Sequence, residues 1–110
     1  MGNLRKPMRI IGYHITPRRN INKILSKGFI AKRPRDMKSD AKAVYCFYSM
    51  DDLNNALNNW YLDRYSENTE FAVFEIDISE YSTIEGAEYE HVIPNDIPAN
   101  KIVDYYTISV

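Results

Sequence analysis

Apolar residues fall into short runs along the chain, and the spacing within each run indicates a strand or a helix. The first run, from Ile10 to Thr16, carries His14 and stops before Pro17, which has no amide hydrogen to donate to a sheet ladder. Residues 21–27 follow one helical face, and Gly28 is placed to end that helix in the left-handed conformation. The chain therefore opens with a predicted strand, a tight turn and a two-turn helix.

A second strand and a longer helix follow a basic loop. Residues 31–42 are polar and contain a proline, so they predict a loop, and the apolar run 43–48 predicts a buried strand. Ser49 begins the longer helix, with Asp52 three residues later at the spacing of a capping box. Asn20 is expected to cap the first helix from the equivalent position.

The remainder of the chain indicates strands joined by short connections. Apolar side chains alternate with charged ones in residues 71–78, which predicts a strand with one buried side. Residues 87–93 and 101–110 predict two more strands. This order of elements favours an α+β fold with mostly antiparallel pairing and two helices over a doubly wound parallel sheet.

Length and composition limit the classes of protein to which this chain can belong. The chain has 110 residues, of which 45% are apolar, and this is enough for one small domain with a single core. We expect that domain to span residues 9–110 after a lead-in at 1–8. Because no apolar stretch reaches the length of a signal peptide or a membrane span, we expect a cytoplasmic protein with no membrane association.

Charge is divided unevenly along the chain. Through Lys42 there are twelve Lys and Arg residues against two Asp and Glu residues, and after it there are two against thirteen. This asymmetry indicates a basic surface for a phosphate-bearing ligand beside an acidic portion. The alternative is that the two halves neutralise each other's charge across the fold.

Several kinds of site are excluded by what the sequence lacks. Cys46 is the single cysteine, so no disulfide and no cysteine-based metal site is expected. His14 and His91 are far apart in sequence, and we expect no metal site from them. The four glycines form neither a P-loop nor a dinucleotide-binding G-x-G-x-x-G motif.

Three features carry candidate chemistry. His14 lies in the first strand, Tyr45 and Tyr48 lie in the second, and Glu88 and Glu90 share one side of a late strand. Each of them alone has an ordinary structural explanation, because a single histidine is commonly a hydrogen-bonded structural residue and alternating glutamates commonly face solvent. Because they occur in this order along the chain, the three features together are stronger evidence for a functional site than any one of them alone.

Taken in order, these motifs resemble those of the ADP-ribosyltransferase fold. The segment Tyr13-His14-Ile15-Thr16, with the helix and Gly28-Phe29 that follow, resembles the opening of DarT-type toxins and, more loosely, of RNA 2′-phosphotransferases. Val44-Tyr45-Cys46-Phe47 resembles the tyrosine motif of the His-Tyr-Glu class. The segment from Glu88 to Pro94 resembles its late glutamate motif. The resemblance implies a mostly antiparallel split sheet with two helices.

The resemblance also implies that NAD is the substrate and that the first two motifs bind it. His14 would bond the ribose next to nicotinamide, and Thr16 would belong to the same cofactor-binding segment. Tyr45 or Tyr48 would cover the nicotinamide ring with its flat face. These two tyrosines lie on opposite sides of one strand, so the sequence leaves open which of them lines the site.

Glutamates and arginines complete the implied site. Glu90 would bond the ribose 2′-hydroxyl and stabilise the oxocarbenium that develops as the glycosidic bond breaks. Glu88 matches the position that orients the acceptor in arginine-modifying relatives. The candidates for binding the pyrophosphate are four arginines, Arg18, Arg19, Arg33 and Arg35.

The function that the resemblance implies is NAD-dependent mono-ADP-ribosyl transfer to a protein or a nucleic acid, of the kind carried out by toxins or by phage-encoded modifiers of host machinery. One alternative is a catalytically silent module of the same fold that acts as a binding protein or inhibitor. Another is an enzyme that transfers an RNA 2′-phosphate to NAD. In the catalytic interpretation, His14, one of the two tyrosines and Glu90 are expected to converge on a single cleft.

Overall fold

The structure is a computed structural model, and it describes residues 9–32, 42–59, 69–83 and 90–109. Within these ranges, the 3-10 turns Arg18–Asn20 and Ala99–Lys101 accompany the regular elements. The regular elements of these ranges, in chain order, are β1 (Ile11–Pro17), α1 (Ile21–Lys27), β2 (Val44–Phe47), α2 (Met50–Asn59), β3 (Phe71–Asp77), β4 (Glu90–Ile93) and β5 (Ile102–Ile108).

The five strands form one sheet in the order β4-β2-β1-β3-β5, and every neighbouring pair is antiparallel. The prediction of an α+β domain with an antiparallel sheet and two helices is confirmed. β1 occupies the centre of the sheet. The three strands that carry the histidine, tyrosine and glutamate motifs are therefore neighbours, in the order β1, β2 and β4.

Each helix packs on its own side of the sheet, and the two sides are called here the α1 face and the α2 face. Along β3 the side chains alternate between them as predicted, but the expectation of one buried side holds only in the second half, because Phe71 and Val73 are buried on the α2 face. The buried cluster of the α1 face comprises Ile24, Phe29, Val44, Cys46, Ala72, Phe74, Ile76, Ile78, Ile93 and Ile97. The buried cluster of the α2 face comprises Ile15, Phe47, Leu53, Ala56, Leu57, Phe71 and Val73.

β1 is paired very differently with its two neighbours. With β3 it is paired along its whole length, from Ile11 opposite Asp77 to Pro17 opposite Phe71. With β2 the register of the described residues has one position, Tyr13 opposite Phe47. Beyond that position, toward the end of β1, residues of both strands line a cavity.

The ends of the helices test three predictions of capping. Gly28 ends α1 as predicted and has a positive φ of 76°, but its ψ of −163° differs from that of the left-handed helical conformation predicted for it. Ser49 caps α2 as predicted, because its Oγ accepts a hydrogen bond from the backbone N–H of Asp52 at 3.1 Å. Asn20 occupies the N-cap position of α1 as predicted, but its side chain makes no capping hydrogen bond, because its amide donates to Thr16 Oγ1 at 2.9 Å.

Some predictions concern segments outside the described residues. These are the lead-in at 1–8, most of the basic loop between 31 and 42, the continuation of the longer helix beyond Asn59 and the start of the late strand before Glu90. Among the helices that the structure describes, none has the length and apolar character needed to cross a bilayer.

Candidate functional site

A cavity of about 190 Å³ opens on the α1 face, beside the end of β1 and the start of β2. Apolar side chains make up most of its wall, and no carboxylate lines it among the residues that the structure describes. The residues around it are His14, Thr16, Asn20, Lys23, Ile24, Gly28, Phe29, Ile30, Lys32, Ala43, Val44 and Tyr45. We call this space the His14 cavity.

The ring of His14 is held in one orientation by contacts on two sides. Its Nδ1 lies 2.8 Å from the backbone carbonyl oxygen of Tyr45, on the neighbouring strand. Its ring meets that of Phe29 edge to face, with centroids 5.1 Å apart, and Phe29 in turn meets Phe74 at 5.4 Å. Edge-to-face aromatic contacts and one hydrogen bond therefore fix the imidazole at the cavity wall.

The hydrogen bond also fixes the protonation of His14. A carbonyl oxygen only accepts, so Nδ1 carries the hydrogen, and in the neutral ring Nε2 is left as an acceptor. Burial lowers the pKa of His14 below its ordinary value, the bond to Tyr45 raises it in part, and the positive charge of Lys32 lowers it further. At neutral pH this histidine is an uncharged group with one acceptor nitrogen.

The wall formed by residues 28–32 is tied to the rest of the fold by backbone hydrogen bonds. Phe29 and Ile97 exchange two N–H to carbonyl bonds of 2.7 and 2.9 Å. Lys32 and Ala43 exchange two more of 3.0 Å each, and the N–H of Ala31 donates to an Asp96 carboxylate oxygen at 2.7 Å. The cavity therefore has a preformed wall, as is usual for small-molecule sites.

Gly28 makes the turn into this wall possible. Its φ of 76° is one that residues with a side chain rarely adopt. A Cβ atom at this position would also lie 2.4 Å from the carbonyl oxygen of Ile97. Conformation and space thus both require glycine where α1 ends and the cavity wall begins.

Thr16 and Asn20 form a polar corner of the cavity. Thr16 is buried at the end of β1, and its hydroxyl oxygen accepts a hydrogen bond from the side-chain amide of Asn20. Of the residues predicted to bind the cofactor, His14 and Thr16 are brought together here. Asn20 joins them although the sequence indicated only a capping role for it.

The two candidate tyrosines lie apart from each other. The side chain of Tyr45 shares the α2 face with Phe47, so only its backbone is bonded to His14. Burial raises the pKa of the Tyr45 hydroxyl, and the charge of Glu90 raises it further. Tyr48 is exposed and meets the ring of His91 at a centroid distance of 4.3 Å, away from the residues that line the cavity.

Glu90 lies on the face opposite His14. It is directly across from Phe47 in the ladder between β4 and β2, and Phe47 is across from Tyr13. Tyr13 and His14 are consecutive residues of β1, so their side chains leave the sheet on opposite faces. The expectation that His14 and Glu90 converge on one cleft is therefore wrong in this structure. Glu88 lies outside the described residues.

Of the arginines predicted to hold a pyrophosphate, the two that the structure describes do not line the His14 cavity. Arg18 and Arg19 border a separate open groove next to Thr69 and Glu70, and Arg18 is paired with Glu70. The other two candidates, Arg33 and Arg35, lie outside the described residues.

Two lysines at the cavity were not singled out in the sequence. Lys23 lies on α1 three residues after Asn20, so helical spacing was a signal that the two share a side of the helix. Lys32 is brought to the cavity by its backbone pairing with Ala43, a contact between distant segments that no local pattern predicts.

Nucleophilic and metal chemistry have little support in the described part of the chain. Burial raises the pKa of the Cys46 thiol to about 12, so this thiol stays protonated at neutral pH. No group of three histidine, cysteine or carboxylate side chains that could hold a metal ion occurs among the described residues.

The His14 cavity thus offers an apolar slot, one neutral histidine acceptor, a threonine–asparagine corner and two ammonium groups. This set of groups suits a flat ring that carries hydrogen-bond donors and is attached to an anionic group. In comparisons with known proteins, no family model and no curated protein matches this chain.

Proposed function

We propose that this chain is an ADP-ribosyltransferase-like domain that binds NAD through the His14 cavity. The observation that carries the proposal is that two residues of the histidine motif, His14 and Thr16, line one preformed cavity beside the strand of the tyrosine motif. The adjacency of β1, β2 and β4 supports it too, because these strands carry the three motifs that resemble the family.

The size of the cavity agrees with the nicotinamide end of NAD. Protein cavities of roughly 150 Å³ hold a benzene molecule, so a space of about 190 Å³ accommodates one substituted six-membered ring. It does not accommodate a dinucleotide. The ribose and the phosphates would therefore extend from the ring toward the mouth of the cavity.

His14 supplies the polar contact that this ligand needs. A ribose hydroxyl and a carboxamide NH2 group are both donors, and the Nε2 of a neutral His14 is an acceptor. Burial lowers the pKa of His14 below its ordinary value and so keeps this nitrogen free of a proton at neutral pH. A positively charged histidine would instead repel the cationic nicotinamide ring of NAD.

We propose mono-ADP-ribosyl transfer to a macromolecule as the activity that follows from this binding. In that reaction the glycosidic bond breaks, nicotinamide leaves with the bonding electron pair, and the ribose carbon becomes an oxocarbenium. A nucleophile of the protein or nucleic-acid acceptor then bonds to that carbon and loses its proton. A carboxylate next to the ribose would stabilise the developing positive charge.

The position of Glu90 favours a second candidate function, a catalytically silent NAD-binding module. Glu90 and His14 lie on opposite faces of the sheet, so a ribose held beside His14 is out of reach of this carboxylate. A domain with this arrangement would bind NAD without cleaving it. Both candidates share the binding step, and they differ in the release of nicotinamide.

Binding is tested by calorimetric titration of the whole chain with NAD. We expect His14→Ala to weaken binding about tenfold or more, since a ring contact and a hydrogen bond are lost together. His91→Ala is the matched control, because His91 does not line the cavity, and it should change affinity less than twofold. Equal affinity of the wild type and His14→Ala for NAD would contradict the proposal.

Release of nicotinamide from NAD separates the two candidate functions. A transferase releases nicotinamide from NAD. A rate lowered on the order of a hundredfold in Glu90→Gln would show that this carboxylate reaches the ribose and would contradict the binding of NAD on the face opposite Glu90. Binding of NAD with no release by the wild type identifies the silent module. A 2′-phosphorylated RNA added with NAD tests the third possibility, because its dephosphorylation would assign the phosphotransferase reaction.

A further inference from the structure

Two lysines from different segments bring positive charge to the His14 cavity. Lys23 reaches the cavity from α1, and Lys32 reaches it from the segment bonded to Ala43. The charge of Lys32 is close enough to His14 to lower the pKa of that histidine. No Asp or Glu among the described residues lines the cavity to offset the two ammonium groups.

Neither of these lysines is neutralised elsewhere in the described part of the chain. Arg9 is paired with Asp77, Arg18 with Glu70 and Lys101 with Glu80. Lys23 and Lys32 form no such ion pair there. Two exposed cations converging on one cavity without a carboxylate raise the local positive potential, and such a potential attracts an anion.

The size of the cavity indicates where the anionic group of a ligand lies relative to its ring. A ring fills most of a space of about 190 Å³, so a group attached to the ring through a sugar extends to the mouth. Lys23 and Lys32 are exposed residues that line the cavity, so their ammonium groups are available to a group at its mouth. An ammonium group binds a phosphate as a compact point charge with three hydrogen-bond donors.

We infer that Lys23 and Lys32 bind a phosphate group of the ligand whose ring occupies the His14 cavity, so that the site selects phosphorylated ligands. If the ligand is NAD, this phosphate belongs to the pyrophosphate, and that identification rests on the proposed function. The inference assigns to these two lysines a contact that the sequence indicated for arginines. Arg18, in a separate groove and paired with Glu70, is not available for it.

The test compares ligands that differ by one phosphate. Nicotinamide mononucleotide and nicotinamide riboside carry the same ring and sugar, so calorimetric titration with both isolates the contribution of the phosphate. We expect the wild type to bind the mononucleotide more tightly. Lys23→Gln and Lys32→Gln should each weaken binding of the mononucleotide about fivefold, and the double variant should bind the two ligands alike.

Lys27→Gln is the matched control. Lys27 lies on α1 one turn after Lys23, has the same charge and is outside the cavity lining. Lys27→Gln lowers the net charge by the same amount as Lys23→Gln, so it measures the long-range effect of charge alone. We expect it to change the affinity for the mononucleotide less than twofold. Equal losses in Lys27→Gln and Lys23→Gln would overturn the inference.

Inorganic pyrophosphate separates this inference from the proposed function. If NAD and both nicotinamide ligands fail to bind, but pyrophosphate binds and loses affinity in the Lys23 and Lys32 variants alone, the inference stands and the proposed function fails. If NAD binds with the same affinity in the wild type and the double variant, the proposed function stands and the inference fails. If no phosphate compound binds the wild type, both fail.

Discussion

The two faces of the sheet contain different kinds of polar groups. On the α1 face, the His14 cavity combines an uncharged histidine with two lysines and has no carboxylate among its described lining residues. On the α2 face, one cross-strand row passes over all five strands and has carboxylates at its ends. The row consists of Glu90, Phe47, Tyr13, Glu75 and Asp104.

The comparison shows that adjacent strands do not by themselves assemble a site. β1, β2 and β4 are neighbours, yet the side chains of His14 and Glu90 are separated by the sheet. The α1 face has the positive potential that an anionic ligand needs, whereas the carboxylate row would repel such a ligand. Ligand binding is therefore expected on the α1 face, and the polar groups of the α2 face are expected to serve stability.

The largest effect should come from removing the glycine that shapes the cavity wall. Gly28→Ala places a Cβ atom 2.4 Å from the Ile97 carbonyl oxygen at a φ of 76°, so the wall and the helix end must shift. We expect a loss of about 3 kcal/mol in the free energy of unfolding, measured by urea denaturation. Ser26→Ala, two residues earlier at an exposed position, should change it by less than about 0.5 kcal/mol. A loss below about 1 kcal/mol in Gly28→Ala would contradict the proposed geometry of the wall.

A smaller effect, confined to stability, is expected on the α2 face. The hydroxyl of Tyr106 lies 3.3 Å from the sulfur of Met50 at the start of α2, and burial together with its hydrogen bond to Glu75 raises its pKa to about 12. Tyr106→Phe should cost about 1 kcal/mol of unfolding free energy and leave NAD affinity unchanged. Tyr105→Phe, at the exposed neighbour, should change neither quantity. A loss of NAD affinity in Tyr106→Phe as large as that in His14→Ala would remove the distinction between the faces.

The smallest effect concerns the proton on His14. Burial lowers its folded-state pKa, so as pH falls the unfolded chain takes up this proton first. The stability it contributes is complete above the unfolded-state value near 6.5 and is lost as pH falls from there toward the folded-state pKa. Between pH 7 and 6 the loss should be less than about 1 kcal/mol, and His14→Gln should remove it from the urea-denaturation profile. Identical pH profiles for the two proteins would contradict a buried, neutral His14.

Much of the fold could be predicted because its determinants are local. The alternation in residues 71–78 defines a strand with two distinct faces, and Gly28 and Ser49 mark helix ends through their own backbone and side-chain chemistry. Asn20 shows that local sequence does not determine every hydrogen-bond partner. Its amide has two possible partners, the N-terminus of α1 and the hydroxyl of Thr16, and the second is favoured once β1 holds that hydroxyl nearby.

The site was less predictable because it depends on register between distant segments. Shifting β4 by one residue against β2 would move Glu90 to the other face of the sheet, and no local pattern excludes that shift. Lys32 enters the site only through its pairing with Ala43. The motif order did predict which strands are neighbours, since that follows from topology and not from the exact pairing of residues.

A crystal structure of the whole chain grown with NAD would test most directly whether NAD binds in the His14 cavity. We expect the nicotinamide ring inside the His14 cavity, with Nε2 of His14 accepting a hydrogen bond from the ribose or the carboxamide. The phosphates should then lie at the mouth, beside Lys23 and Lys32. A nicotinamide ring bound on the α2 face, beside Glu90 and Tyr45, would contradict it.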